Sequence, residues 1–273
     1  LDAGLHVICE KPLASTVAQA EAMVEKAEAA GVKHMVFFTQ RWLPSFQAVH
    51  ELIAEGLIGR CFSAHFHFFA GYGATLTGWR YDAQRGGGIL GDIGAHMIDR
   101  VHWYLGDIVK VSASLKTFTE LADEQRNPDP ANNAILLAFE LANGAHGTIG
   151  CNSVAHVGEQ GQQNQMMIHG DQGSLEVTSS FAHSEIRVAR RDEPAFRTVP
   201  IPDRFWGDVD RSQPYLGQMI ESLTKRSVGQ RMFIDAILND SPLTPNFHDG
   251  LKVQKVLAAA VEAQKSGGWV AVG

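Results

Sequence analysis

Cysteine is scarce in this chain. Cys9, Cys61 and Cys151 are odd in number and far apart, which excludes a disulfide framework and a CxxC metal knuckle and fits three reduced thiols in a reducing, cytoplasmic compartment. No apolar run approaches the ~20 residues of a membrane-spanning helix, and no basic segment followed by an apolar stretch opens the chain, so a membrane span and an export signal are set aside. Basic blocks are missing too. With 23 Lys+Arg against 30 Asp+Glu the formal charge is -7, which argues against nucleic acid as a partner. Neither a low-complexity stretch nor a fixed-period repeat occurs. What remains is ordinary globular composition: 273 residues, 45% hydrophobic and 19% charged, enough for about two domains and a substantial core.

The opening has no initiating Met, and Leu1-Asp2-Ala3-Gly4 runs straight into the short apolar strand pattern His6 to Cys9. Thr16 with Gln19 forms a capping box ahead of a helical stripe of Val17, Ala20, Met23, Val24 and Ala27, and Gly31 stands where a left-handed cap belongs. Val32 to Phe38 then reads as a second strand, near-continuously apolar as in a parallel sheet covered on both faces. Strand, helix and strand in this order belong to a doubly wound sheet. Pro44 opens a helix that Gly56 closes.

Beyond residue 59 the pattern changes. Cys61 to Phe69 alternates, with Phe62, Ala64, Phe66 and Phe68 expected inside and Ser63, His65 and His67 outside. Further strands are expected over 109–117, 134–141, 145–152, 165–169, 174–177 and 185–190, with Asn143-Gly144 as a hairpin turn. One long helix, about 92–105, interrupts them, and Gly106 stops it. Residues 120–132 and 154–163 read as polar loops. The tail returns to helices over 218–238 and 249–265 before a last strand at 269–272. The expected domains are therefore 1–59, part of a doubly wound α/β unit, and 60–273, an α+β unit with a mainly antiparallel sheet and C-terminal helices that pack back.

Gly86, Gly88 and Gly91 spell a literal GxGxxG, yet Trp79 to Arg85 ahead of them reads as an exposed loop instead of the apolar strand that a dinucleotide fingerprint requires. The helix that follows is more informative. At 100° per residue Asp92, His96, Asp99 and Trp103 fall within about 60° of each other, while Ile93, Met97, Val101 and Leu105 face elsewhere. An aspartate and a histidine at i and i+4 can both address a substrate hydroxyl, His moving the proton and Asp orienting it. Asp92 could equally be a helix cap with His96 a satisfied, half-buried neighbour. A metal held by Asp92, His96, His65 and His67 would need the strand pair brought to the helix pair, which nothing in the sequence requires, so no metal is assigned. Lys11, in Glu10-Lys11-Pro12, stands at the carboxyl end of a strand, where open α/β sheets seat their ligands and a lysine can stabilise charge on oxygen. Trp79 and Arg80 could supply an aromatic platform and an anion clamp.

Glu10-Lys11-Pro12, Arg41 with Pro44, Leu57-Ile58-Gly59, the Gly86 to Asp99 segment, and Arg231 to Ile237 with Pro245 to Gly250 occur in order over essentially the whole chain. EKP alone is a weak sign; EKP followed by GGGxLxDxGxHxxD is specific. On these residues the chain resembles the glucose-fructose oxidoreductase, inositol dehydrogenase and MocA family. The resemblance implies a Rossmann domain joined to an α+β domain with a large, mainly antiparallel open sheet, NAD or NADP as cofactor, and hydride transfer to or from a sugar, polyol or related cyclic compound. It also implies a homodimer or homotetramer through the open sheet. By position Lys11 matches the family lysine that contacts substrate and nicotinamide, His96 its proton-transferring histidine and Asp92 its substrate-binding aspartate. Trp79 and Arg80 then fall on the substrate side, and Glu10, Pro12 and Arg41 join Lys11 on the cofactor side. Two alternatives share the fold: a truncated, non-catalytic sugar-binding or scaffold member, and an NAD-using glycosidase in which oxidation is transient.

The family's glycine-rich turn and acidic ribose-binding residue have no counterpart among these residues, which implies a longer chain in which they precede Leu1. The 273 residues by themselves are expected to hold NAD(P) weakly, because the helix N-terminus that receives the pyrophosphate is not among them. Intact-mass measurement of the natural protein tests whether the chain is longer. The expected value is ~39 kDa, and 29.7 kDa, the mass of these residues, would refute it.

Overall fold

The computed structural model describes residues 1–72, 80, 83, 87–118 and 131–273. It begins with β1 (Val7–Cys9), α1 (Val17–Ala29) and β2 (His34–Val36), the two strands parallel with Ile8 opposite Met35. A parallel pair needs a crossover, which α1 provides. The helix starts on its reciprocal cap: Gln19 N–H donates to Thr16 Oγ1, and Thr16 N–H donates to the Gln19 side-chain oxygen. Gly31 at φ +62 ends it. The second strand is shorter than the apolar run suggests.

After α2 (Pro44–Ala54) come β3 (Cys61–Ala70), α3 (Ala95–Leu105), β4 (Ile108–Lys116), β5 (Ala134–Leu141) and β6 (His146–Asn152). Then follow β7 (Gln162–Gly170), β8 (Gly173–Ser180), β9 (Ser184–Arg190) and β10 (Arg197–Val199). The tail holds α4 (Asp203–Trp206), α5 (Tyr215–Thr224), α6 (Val228–Leu238), α7 (Phe247–Ser266) and β11 (Val270–Ala271). Nine strands form one sheet in the order β10-β9-β8-β7-β3-β6-β5-β4-β11. Its pairs are antiparallel except β3 with β6. The fold is thus a Rossmann-type parallel segment joined to a unit with a large mixed sheet.

Alternation along β3 buries Ala64, Phe66 and Phe68 and turns Ser63, His65 and His67 to the other face. Phe62 departs from the expected pattern. It is 45% exposed, because the register with β7 slips between Cys61 and Ser63 and a bulge moves its side chain across the sheet. The single helix expected over 218–238 is two helices, α5 and α6, separated at Ser227, which sits in the left-handed region at φ +46. The expected loop 120–132 falls mostly on residues 119–130, outside the described ones.

The inner sheet face and the helices share one core, in which Phe66, Phe139 and Ile149 of the sheet join Met97, Ile98 and Val101 of α3 and Val253 and Val256 of α7. Long α7 runs along β4 and also touches α1, β2 and α3, tying the parallel segment to the sheet. Asp99, expected on a polar stripe, is 2% exposed, because that stripe packs against the parallel segment instead of facing solvent. There Arg41 donates to Asp99 through Nε to Oδ2 at 2.9 Å and Nη2 to Oδ1 at 2.6 Å, while its other contacts go to Thr244 and Asp249. Asp99→Ala leaves the buried guanidinium with the Thr244 hydroxyl and, at 3.3 Å, one oxygen of Asp249, and is expected to lower unfolding free energy by about 3–5 kcal/mol in urea titration. A loss under about 1 kcal/mol would show that this ion pair does not join the two parts.

Candidate active site

Lys11 follows β1, and the chain folds so that this strand end meets the start of α3. The helical segment begins at Gly88, whose φ of +87 suits glycine; a Cβ there would lie 2.7 Å from the Asn132 carbonyl oxygen. Asn132 supplies the cap that no local side chain provides. Ile89 N–H donates to its carbonyl at 2.8 Å and Leu90 N–H to its Oδ1 at 2.9 Å, so two otherwise orphan donors are satisfied. Residues Leu90–Gly94 form a π-helical turn, closed by the Ala95 N–H donating to Leu90 O five residues back. Such turns recur at functional sites because they re-aim side chains within a helix. Asp92 lies inside this turn and His96 at the start of α3, so Asp92 is not the cap.

Asp92 is held from two sides. Lys11 Nζ donates to its Oδ1 at 2.6 Å and to its backbone oxygen at 2.7 Å, and Arg80 Nε donates to its Oδ2 at 3.1 Å. The side chains of Lys11 and Asp92 are each 9% exposed. Burial lowers the Lys11 pKa, against the opposing pull of Asp92. An ammonium has three N–H donors; two go to Asp92, which leaves one for a ligand oxygen.

His96 is buried, its Nδ1 sealed with no partner, and the Phe38 ring stands edge-on at 6.2 Å. Burial holds its pKa well below the ordinary 6.5, and the charges of Lys11 and Arg100 push the same way. The imidazole is therefore neutral at physiological pH, the state in which it can accept a proton. Tyr72, just past β3, is held protonated by burial and by the Asp92 carboxylate. Neutral base, cationic donor and phenol around one carboxylate can take a proton from a hydroxyl and steady the negative charge left on its oxygen.

The fold thus brings Lys11, Arg80, Asp92 and His96 together. Trp79 lies outside the described residues. Glu10 is exposed beside Lys11, and Pro12 lines a cavity of about 660 Å³ that reaches across to α7. Arg41 is not brought to the cluster, since its fork is bonded to Asp99, Thr244 and Asp249. His65 and His67 stand on the far face of the sheet, where His65 Nδ1 pairs with Thr148 Oγ1 at 2.9 Å. Asn132 and Tyr72 carry no signal at sequence level, because each acts through a neighbour distant in the chain.

Protonation of buried histidine is also a stability term. Unfolded histidine takes up its proton near pH 6.5, whereas folded His96 does so only well below that, and His102, half-buried with both ring nitrogens sealed and unpartnered among the described residues, at about 4. In that window the unfolded state binds more protons, so stability is full above pH ~7 and falls below about 6.5, by up to about 1.4 kcal/mol per pH unit for each histidine. Thermal unfolding at pH 7.5 and 5.5 checks this. An unchanged melting temperature would show that neither ring is kept neutral by the fold.

Two family models match the chain: an oxidoreductase family with an NAD-binding Rossmann fold over residues 1–38, and a GFO/IDH/MocA C-terminal domain over residues 46–176. Levoglucosan dehydrogenase of Pseudarthrobacter phenanthrenivorans is 30% identical, the match covering 99% of this chain and 75% of that protein. D-apiose dehydrogenase of Paraburkholderia graminis is 28% identical over 97% of this chain and 66% of its own length. Among solved structures, levoglucosan dehydrogenase in complex with NADH and levoglucosan superposes with a TM-score of 0.84 at 29% identity, covering 100% of this chain and 74% of that one.

Proposed function

Because the chain belongs to the GFO/IDH/MocA family of NAD-binding oxidoreductases, of the sugar-dehydrogenase kind, we propose that it oxidises a CH–OH carbon of a cyclic sugar with His96, Lys11 and Asp92 as its working groups. The observation that carries this reading is the meeting of a buried neutral imidazole with an ammonium that keeps one donor in reserve. The residues present fit a nicotinamide: Glu10, Lys11 and Pro12 stand at the carboxyl end of a parallel strand, the position where doubly wound sheets seat nucleotides. NAD, when bound, supplies the hydride acceptor.

The chain's own residues do the rest. Lys11 donates its third N–H to the reacting oxygen and stabilises the charge that grows there as the hydroxyl proton leaves. His96 takes that proton on Nε2, since Nδ1 is sealed. Asp92 fixes Lys11 and, with Arg80, offers acceptor and donor to neighbouring sugar hydroxyls. Arg41 acts at a distance by anchoring α3 through Asp99. In this reading residues 1–59 form the nucleotide side and 60–273 the substrate side. The open sheet face, with Leu136 55% and Met167 40% exposed, is the contact between copies in a homodimer or homotetramer. Solved neighbours holding NADH, with levoglucosan in one of them, support NAD over NADP and a compact ring substrate.

NADH formation with levoglucosan, D-apiose and a polyol panel tests the proposal. His96→Asn is expected to lower kcat by roughly 10²–10⁴ with little change in KM. Undiminished turnover in that variant would remove His96 from the reaction.

A further inference from the structure

Arg100 is a buried charge without a counter-ion among the described residues. It lies one turn beyond His96 on α3 and is 2% exposed, with the Phe46 ring 4.4 Å from its guanidinium carbon. Its Nη2 reaches Met97 Sδ and, at 3.4 Å, Asn164 Oδ1, while Nε has no partner. No carboxylate pairs with it among the described residues, and neighbouring Asp99 is committed to Arg41. A buried guanidinium in this state is costly unless something of opposite charge approaches it.

Next to it lies an empty space. A cavity of about 270 Å³ is bounded by the start of α2, by β7 and β8, and by α5, and two of the residues that touch the Arg100 guanidinium, Phe46 and Asn164, form part of its wall and separate Arg100 from it. Ser45 on α2 is 2% exposed and Ser179 on β8 is 6% exposed. Both line the cavity, and neither hydroxyl has a hydrogen-bond partner among the described residues. Leu43 gives the α2 N-terminus no side-chain cap; Pro44 has no N–H and the Phe46 and Gln47 N–H groups donate to the Leu43 carbonyl, which leaves the Ser45 N–H and the positive end of the helix dipole for a ligand. The opposite wall, from α5, is apolar with Leu216, Met219 and Leu223.

We propose that this cavity binds an acidic group, a carboxylate or a phosphate, carried by a small molecule whose apolar or ring portion rests on α5. The Ser45 and Ser179 hydroxyls and the α2 N-terminus receive the oxygens, and Arg100, behind Phe46 and Asn164, supplies the balancing charge. The site stands apart from the Lys11–Asp92 cluster, and its occupation does not depend on the sugar-dehydrogenase reading. It is nevertheless coupled to that cluster. Thr39, on its rim, directly follows Phe38, which contacts His96, and an anion near Arg100 offsets one of the two charges that act on that imidazole.

Calorimetry on the full chain at fixed ionic strength, with inorganic phosphate, gluconate, glucose 6-phosphate and glucose as probes, tests the proposal. At least one acidic probe is expected to bind about tenfold or more tightly than glucose. Ser45→Asp, which brings its own carboxylate to the α2 N-terminus, is expected to abolish that preference and to raise the melting temperature. Ser179→Ala, a milder change, is expected to weaken the acidic probe without affecting glucose. Binding of inorganic phosphate alone identifies a free anion as the occupant, and binding of only the sugar acids identifies an acidic group borne on the sugar. Equal affinity for glucose and all acidic probes, or an acidic-probe affinity unchanged in both variants, overturns it.

Discussion

Two buried ion pairs on one helix hold this molecule in its working shape. Asp92 receives Lys11 and Asp99 receives Arg41, and in both cases the cation comes from the parallel segment and the carboxylate from the helical stretch that rests on the sheet. The carboxylates are seven positions apart, two helical turns, so both face the same way. A clamp with two points fixes both the distance and the rotation of α3 against β1. Charged groups out of water lose more in desolvation than they regain unless their geometry is excellent. The forked Arg41–Asp99 contact, with two donors on two oxygens, meets that condition as a structural anchor. The Lys11–Asp92 contact does so only in part, since a donor on Lys11 is left over. That difference separates the anchor from the working group.

Burial lowers the pKa of both titrating groups of the site yet leaves them in different protonation states, and both states serve the chemistry. It lowers the pKa of Lys11, but Asp92 counteracts this at 2.6 Å, and the ammonium persists. It lowers that of His96 with no acid to oppose it, and the ring stays neutral. The site therefore holds a cation and a neutral base without a proton passing between them. A carboxylate bonded to the imidazole instead of the lysine would reverse the assignment, making His96 a cation and leaving no acceptor for the hydroxyl proton.

Much of this was legible in the sequence because the relevant signals are local. The capping box at Thr16, the proline at the head of α2, the alternation of β3 and the i, i+4 placement of Asp92 and His96 each depend on residues within one turn or one strand. What escaped depends on distant partners. The polar stripe of α3 shows no sign that Asp99 is an anchor until Arg41 is set against it. The cap of that helix comes from Asn132, across the sheet, and the π-helical turn that carries Asp92 shows no composition of its own. Phe62 obeys the alternation in sequence yet lies across a bulge, and Ser227 breaks a helix that its neighbours would continue.

The charges at Asp92, Asp99 and Arg100 divide between two sides of this helical stretch. Asp92 and Asp99 look toward the parallel segment and find cations there. Arg100 looks the other way, between α2 and the sheet, and finds an aromatic face, a thioether and an amide but no acid. Helix geometry accounts for the divergence, since adjacent residues project about 100° apart. The clamp side is electrically complete within the protein, whereas the Arg100 side is not. Completing it from within would take only a carboxylate on α2 or β8, yet the residues facing that space are Ser45 and Ser179, small hydroxyls that leave room and offer donors. A position that excludes the obvious internal counter-ion while keeping hydrogen-bond donors and volume is arranged for a counter-ion that arrives from outside.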